Sequence, residues 1–277
     1  MIKIKIEKPF KLEDTITCGQ IFRFFKKSDG SFDVILSDRV INVYEKENYL
    51  YVSSNYEKNL KSVIVDYFDL NNDYGKMNEY LLKHDKKLKD AINFSKGLMM
   101  IKQNAFETIM EYIISANNSV SSIANALNNI AKKYGKRVMF NNNEYYLFPQ
   151  YEDLKSVTEE DLRKCKVGFR DKYLKSMIDR LNKNELDLNS FYNLDTKDAL
   201  DKLMENIGIG PKVASCILLF AYQKYDVFPV DTWVKKIMKK NYNIEGEKNI
   251  RDFAAHKYGK YSGIAIQYLF NYSRNKK

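Results

Sequence analysis

The hydrophobic residues of this chain change period partway along it, and that switch constrains the fold more than any other feature. Ile2, Ile4 and Ile6 alternate with Lys3, Lys5 and Glu7, the period of two that gives a strand one buried and one wet face. FRFFKK and FDVILSD flank a turn at Asp29-Gly30, and RVINVYEKENYLYVSS folds back at Glu47-Asn48. This half predicts an antiparallel sheet. From residue 57 the period lengthens, and Leu60, Val63, Ile64, Tyr67 and Phe68 fall on one face of an amphipathic helix.

A second helical stretch surrounds 77–82, and after about residue 96 helices are predicted at 105–115, 120–134, 159–166, 171–182, 196–205, 211–222, 232–240 and 261–272. The Asn-rich NNNEYY at 141–146 reads as a surface loop. The fold class is α+β: an antiparallel sheet domain with covering helices over 1–95, then an all-α domain over 96–277. With 277 residues, 44% of them hydrophobic, the chain can bury substantial cores. Its four prolines make no proline-rich linker, so the two units are expected to pack together.

Against 36 acidic residues stand 46 lysines and arginines, a formal charge of +10. That balance fits a polyanionic partner, nucleic acid first, although nucleotide bias toward Lys, Asn, Ile and Tyr produces the same sum. Cys18, Cys165 and Cys216 lie far apart and form neither a disulfide framework nor a thiolate metal site. His84 and His256 lack a second ligand at zinc spacing, so no metal site is expected. MIKIKIEK has no apolar leader core, and no apolar run nears the ~20 residues of a membrane span. The expectation is a soluble, unexported protein of a reducing compartment, the cytoplasm, associated with the nucleoid if bacterial.

The chemistry concentrates in IGIGPKVASCILLFAY, 207–222, and FPVDTWV, 228–234. Gly208 and Gly210 supply backbone freedom for a tight turn, and Pro211 opens the next helix, where its missing N–H is no loss. A helix-hairpin-helix of this kind aims the N–H groups of Gly208, Gly210 and Val213 at one point, which a phosphate can occupy. Two glycines two apart also recur in purely structural turns. Lys212 stands at the second helical position, where the helix dipole and partial burial disfavour its charged form. A neutral amine is a nucleophile suited to Schiff-base chemistry; its position is equally that of an exposed lysine on a basic surface. Asp231 falls where an N-cap belongs, with backbone donors holding it ionised. There it is either a plain cap or a carboxylate able to support positive charge on a sugar ring.

Together with CGQIFRF, YFDLNND, ISANNS, VGFRDKY and GKYSGIAIQYLF, in this order along nearly the whole chain, these motifs resemble the helix-hairpin-helix DNA glycosylases. The resemblance is specifically to the 8-oxoguanine DNA glycosylases that carry an N-terminal sheet domain. It implies a bifunctional glycosylase and abasic-site lyase that flips the damaged base out of duplex DNA. Lys212 then attacks the anomeric carbon and holds the sugar as a Schiff base, and Asp231 supports the sugar cation and the proton transfers. The resemblance further implies that the Gly19 carbonyl accepts the N7–H of 8-oxoguanine, and that Cys216 and Phe270 sandwich the base. Asn117 fills the vacated stack, Phe169 is a wedge and Arg170 reads the orphaned cytosine. A turn glycine and core residues would occupy Gly19, Cys216 and Phe270 equally well.

Three positions depart from the family pattern. A second cytosine-reading arginine falls at Ser122, the base-edge glutamine at Ile266 with Gln267 beside it, and the phosphate-contacting histidine at Trp233. The implied partner is double-stranded DNA containing 8-oxoguanine, bound by a monomer, with no membrane involved. No iron–sulfur cluster is expected, because no cysteine follows Cys216; the only ion implied is a monovalent cation that hairpin carbonyls can bind. Two other readings stay open here, a non-catalytic helix-hairpin-helix DNA-binding protein and a glycosylase for a different base lesion.

Overall fold

The structure, a computed structural model, describes residues 1–275. Strands β1 (Ile2–Lys5), β2 (Phe24–Lys26), β3 (Phe32–Ile35), β4 (Val40–Lys46) and β5 (Tyr49–Ser54) form one antiparallel sheet in the order β1-β5-β4-β3-β2. The register opposes Val43 to Val52 and Val34 to Ile41, and all four are fully buried. Cross-strand pairs of branched apolar residues on one face are what hold such a sheet against a core.

β3 is buried on both faces, because a second hairpin covers its outer side. That hairpin is β6 (Arg137–Phe140) and β7 (Asn143–Tyr146), and it corrects the surface loop expected at 141–146. Only Asn141 and Asn142 form the turn; both have positive φ, 47° and 59°, the two-residue turn that suits a twisted hairpin. Its inward side chains Val138, Phe140 and Tyr145 join Ile35, Val40 and Leu147 in a small separate core, and the Tyr145 hydroxyl donates to the buried Asp33.

Helices follow: α1 (Leu12–Thr17), α2 (Leu60–Tyr67), α3 (Tyr74–His84), α4 (Lys89–Phe94), α5 (Ala105–Ser115), α6 (Val120–Tyr134), α7 (Glu159–Lys164) and α8 (Asp171–Asn182). The chain ends with α9 (Thr196–Met204), α10 (Pro211–Tyr222), α11 (Thr232–Tyr242), α12 (Glu247–Tyr258) and α13 (Ser262–Asn275). The eight helices expected after residue 96 are present within a turn of their predicted bounds. Three further helices, α1, α4 and α12, have no counterpart in the predicted set. The first two have only six residues each, too few for periodicity to stand out. The last buries only Ile250, Ala254 and Tyr258 of its twelve, one thin stripe at four-residue spacing.

Sheet and helices share one continuous core, as the packing expectation required. Its centre is α10, buried from Val213 through Tyr222 and packed between α5 and α9. The C-terminal α13 returns to lie against α4 and α11. Buried carboxylates tie distant segments: Asp85, ending α3, accepts from the hydroxyls of Tyr242 (2.7 Å) and Tyr258 (2.9 Å). Asp69 does the same for Tyr74 and Tyr225, each at 2.7 Å.

Below the sheet, Arg23 donates to Glu107 on α5 at 2.8 Å, both largely buried. One turn on, Glu111 is 2% exposed, and its Oε2 has no partner among the described residues. Burial, reinforced by the Glu107 charge and opposed by Arg23, raises the Glu111 carboxyl well above the ordinary Glu range. The folded state therefore keeps a proton that the unfolded chain releases once pH passes that ordinary range, so this group costs stability as pH rises. Glu111→Gln removes the titration with little change of shape. Its melting temperature should match wild type near about pH 4 and exceed it increasingly above about pH 6; parallel melting curves across that window would refute the assignment.

Candidate active site

α9 and α10 meet at the hairpin 205–210. Asp195 caps α9 by accepting from the Asp198 N–H at 2.8 Å. Gly208 has φ of +84°, and a Cβ there would lie 2.5 Å from Cγ of Tyr173, so a glycine is required twice over, by backbone angle and by contact. Gly210 differs from its neighbour: its φ is −92° and a Cβ would meet open space. It is the N-cap of α10, offers no side-chain acceptor, and is followed by Pro211. The N–H groups of Lys212 and Val213 in the first turn are thus left without a helical partner or a cap, which is the anion-accepting arrangement.

Lys212 is half-buried and reaches back from α10 to the end of α5, where Nζ donates to Ser115 Oγ at 3.2 Å. The Ser115 hydroxyl itself donates to the Tyr112 carbonyl at 2.8 Å, so it presents only acceptor lone pairs to the amine. Beneath them Nζ stands 5.1 Å from the centroid of Tyr112, whose ring stacks on Phe220. Cys216 lies one turn along α10 from Lys212; burial raises its thiol, the Lys212 charge opposes that and the Asp231 charge adds to it. Across the opening, Asp231 caps α11 by accepting from the Val234 N–H at 2.8 Å.

These groups face one cleft of about 420 Å³. Of the residues singled out in the sequence, Lys212, Asp231, Cys216, Gly19, Ile266, Phe270 and Trp233 all line it, as does Gln267. Gly19 has φ of +90°, a backbone angle that favours glycine, and the Phe270 ring packs beside it, with Cε1 3.7 Å from where a Cβ would lie. Trp233 is 52% exposed at the rim, with Lys236 Nζ 5.5 Å from its ring centroid. A second cleft of about 390 Å³ opens between the sheet and α5 beside Glu107 and Glu111, but neither Lys212 nor Asp231 lies in it.

Asn117, Phe169 and Arg170 stand outside the cleft lining. Asn117 is exposed in a left-handed conformation, φ of 51°, just past α5. Arg170 is buried: its guanidinium donates to the carbonyls of Ala116, Asn117 (3.1 Å) and Val167 (3.1 Å). In this structure it fixes the Asn117 turn. Phe169 is 56% exposed, edge-on to Tyr173, the ring against which Gly208 packs. The exposed Phe169 ring, the left-handed Asn117 and the hairpin are thereby joined by a run of contacts through Arg170 and Tyr173. Ser122 is exposed, and its Oγ accepts from Ser119 at 2.9 Å.

Among the cleft residues that the sequence reading did not single out are Tyr112, Ser115 and Arg274. Tyr112 and Ser115 stand three apart at the end of α5, and Arg274 follows Phe270 by four on α13; for Arg274 that helical spacing from Phe270 was the available signal.

The fold and this cleft define a helix-hairpin-helix protein with an amine and a carboxylate facing a common cavity. Residues 1–109 match the family described as 8-oxoguanine DNA glycosylase, N-terminal domain, and residues 110–257 match that of HhH-GPD superfamily base excision DNA repair proteins. The chain belongs to the HhH-GPD superfamily, in the branch that carries the 8-oxoguanine DNA glycosylase N-terminal domain. It is similar to a probable N-glycosylase/DNA lyase of Methanothermobacter thermautotrophicus, 31% identical over 79% of this chain and 76% of that protein. A structure of MBOgg1 in complex with a low-affinity DNA ligand superposes with a TM-score of 0.94 at 35% identity, covering 98% of this chain and 94% of the other. The Clostridium acetobutylicum 8-oxoguanine glycosylase/lyase, in complex with double-stranded DNA containing cytosine opposite 8-oxoG, gives 0.92 at 37% identity, covering 99% and 98%.

Gly208→Ala forces the Tyr173 ring away and places a side chain at positive φ, a cost of about 1–3 kcal/mol. The variant is expected to melt earlier and to bind duplex DNA more weakly. Wild-type melting and affinity together would show that the hairpin geometry is dispensable.

Proposed function

We propose that this protein is a bifunctional DNA glycosylase and abasic-site lyase that excises 8-oxoguanine from double-stranded DNA. The observation that carries the reading is the convergence of Lys212, Asp231, Cys216, Gly19 and Phe270 on one cleft. A base inside a duplex exposes no path to its anomeric carbon, so the nucleotide must leave the stack. Phe169 and Asn117 enter the gap, and the open N–H groups at the start of α10 hold the backbone phosphate.

In the cleft the flipped base lies between Cys216 and Phe270, with its N7–H donated to the Gly19 carbonyl. Guanine lacks that proton and would meet the carbonyl with a lone pair instead, a mismatch of about 1–3 kcal/mol. The Lys212 nitrogen bonds to C1′ as the bond from C1′ to the base nitrogen breaks; the base leaves with a proton. The sugar ring opens to an imine on Lys212, and loss of a proton from C2′ expels the 3′ phosphate. Asp231 faces the sugar while its carbon is electron-poor, held in place by its cap to Val234. Ser115, which accepts from Nζ, aims the amine.

Two measurements test this. Borohydride should trap a covalent adduct between the protein and DNA containing 8-oxoguanine, and Lys212→Gln should abolish both the adduct and excision. A protein that binds DNA but gives no adduct is the non-catalytic alternative, and an adduct confined to another lesion is the other. Excision opposite each of the four bases gives the second test. With Ser122 in place of an arginine and Arg170 engaged with Ala116 and Asn117, a bidentate contact to the orphaned base, worth about 1–3 kcal/mol, is missing. Cytosine should therefore be preferred by less than about tenfold; a preference above about a hundredfold would contradict it.

A further inference from the structure

α13 presents Ile266, Phe270 and Arg274 to the cleft. Residues four apart stand one above another on a helix face, so one wall carries an apolar, an aromatic and a cationic side chain in file. Their exposure rises in the same order, from buried Ile266 through half-buried Phe270 to exposed Arg274. The guanidinium therefore stands at the mouth. It also stands beside Gly19: a Cβ placed on that glycine would lie 3.3 Å from Arg274 Nη1.

Arg274 forms no hydrogen bond or ion pair with any described residue. Of the neutral donors in the cleft lining, the Ser115 hydroxyl is committed to the Tyr112 carbonyl, and Asn118 Nδ2 and Gln267 Nε2 each use one of their two N–H groups, on the Ile114 carbonyl at 3.1 Å and toward the Cys18 carbonyl at 3.5 Å. Ile266 has no polar atom to offer a base. A guanidinium has five donors and no acceptor, so it is matched to carbonyl oxygens. On 8-oxoguanine the carbonyls at positions 6 and 8 flank the N7–H that the proposed function gives to Gly19, the residue against which Arg274 rests.

We propose that Arg274 is a specificity-determining residue that donates to the carbonyl oxygen at position 6 of the flipped base, reading the edge next to the contact made by Gly19. This rests on the proposed function. As a cation in the last turn of α13, Arg274 would also favour the helix dipole, and an exposed guanidinium could instead meet a backbone phosphate; the experiment separates these roles.

Single-turnover rates at saturating protein are to be measured for wild type, Arg274→Met and Arg274→Lys on three duplexes. These hold 8-oxoguanine, 8-oxoadenine, which keeps N7–H but has an amine at position 6, and a pre-formed abasic site. Melting temperatures accompany them. Wild type should prefer 8-oxoguanine to 8-oxoadenine, and Arg274→Met should lose roughly 10- to 100-fold on 8-oxoguanine, the range of a charge-assisted hydrogen bond. Its preference between the two bases should collapse, strand cleavage at the abasic site should fall far less, and Arg274→Lys should recover part of the loss. Equal losses on 8-oxoguanine and the abasic site would assign Arg274 to a phosphate, and a lowered melting temperature with unchanged rates would assign it to the helix end; either overturns the proposal. Wild type inert on 8-oxoguanine defeats the proposed function, and this inference falls with it.

Discussion

One buried amide holds the cleft to the rest of the molecule. Gln20 is fully buried, donates through Nε2 to the Met99 carbonyl at 2.7 Å, and accepts at Oε1 from the Ile101 N–H at 2.8 Å. Its own carbonyl accepts from Gln103 Nε2 at 2.9 Å. A primary amide used at both ends is locked in rotation as well as position, so the loop carrying Gly19 is fixed against the segment that leads into α5. Three residues on, Arg23 pins the same stretch to Glu107. The wall bearing Gly19 and the wall bearing Ser115 are consequently one rigid body, although far apart in sequence.

α10 supplies the third wall, and its character explains how a lysine is held there. Ten consecutive residues of it are buried, so neither its tilt nor its rotation is free. Only the first turn emerges, carrying Lys212 toward Ser115. The strongly hydrophobic helix works as a mount, and the proposed chemistry uses the one turn that solvent reaches. Asp231 completes the site from α11, at a position its capping bond makes equally definite.

Most of the architecture was legible because it follows from period and punctuation. Alternation gave the five strands, and the Gly208 to Pro211 run and the Asp231 cap gave the hairpin and its opposing helix. What could not be read depended on contacts between distant segments. NNNEYY looks like a loop until β3 and β4 offer Ile35 and Val40 as a floor for it, and Arg170 looks like a free DNA contact until Ala116 and Asn117 turn their carbonyls on it. Gly210 shares a motif with Gly208 yet meets no crowding. The roles given to Lys212 and Gly19 came from resemblance to a family. From position alone, Lys212 was equally a nucleophilic amine or an exposed surface cation, and Gly19 an ordinary turn.

All three cysteines are unpaired and buried, and burial raises each thiol, that of Cys18 to about 11. Peroxide reacts with the thiolate, so a sulfur kept protonated and enclosed is a poor target. 8-Oxoguanine is itself a product of guanine oxidation, and the conditions that create it would disable a machine built around an exposed reactive sulfur. Packing Cys216 into the wall beside the amine gives the cleft a soft, polarizable surface while burial holds the thiol in its less reactive, protonated form.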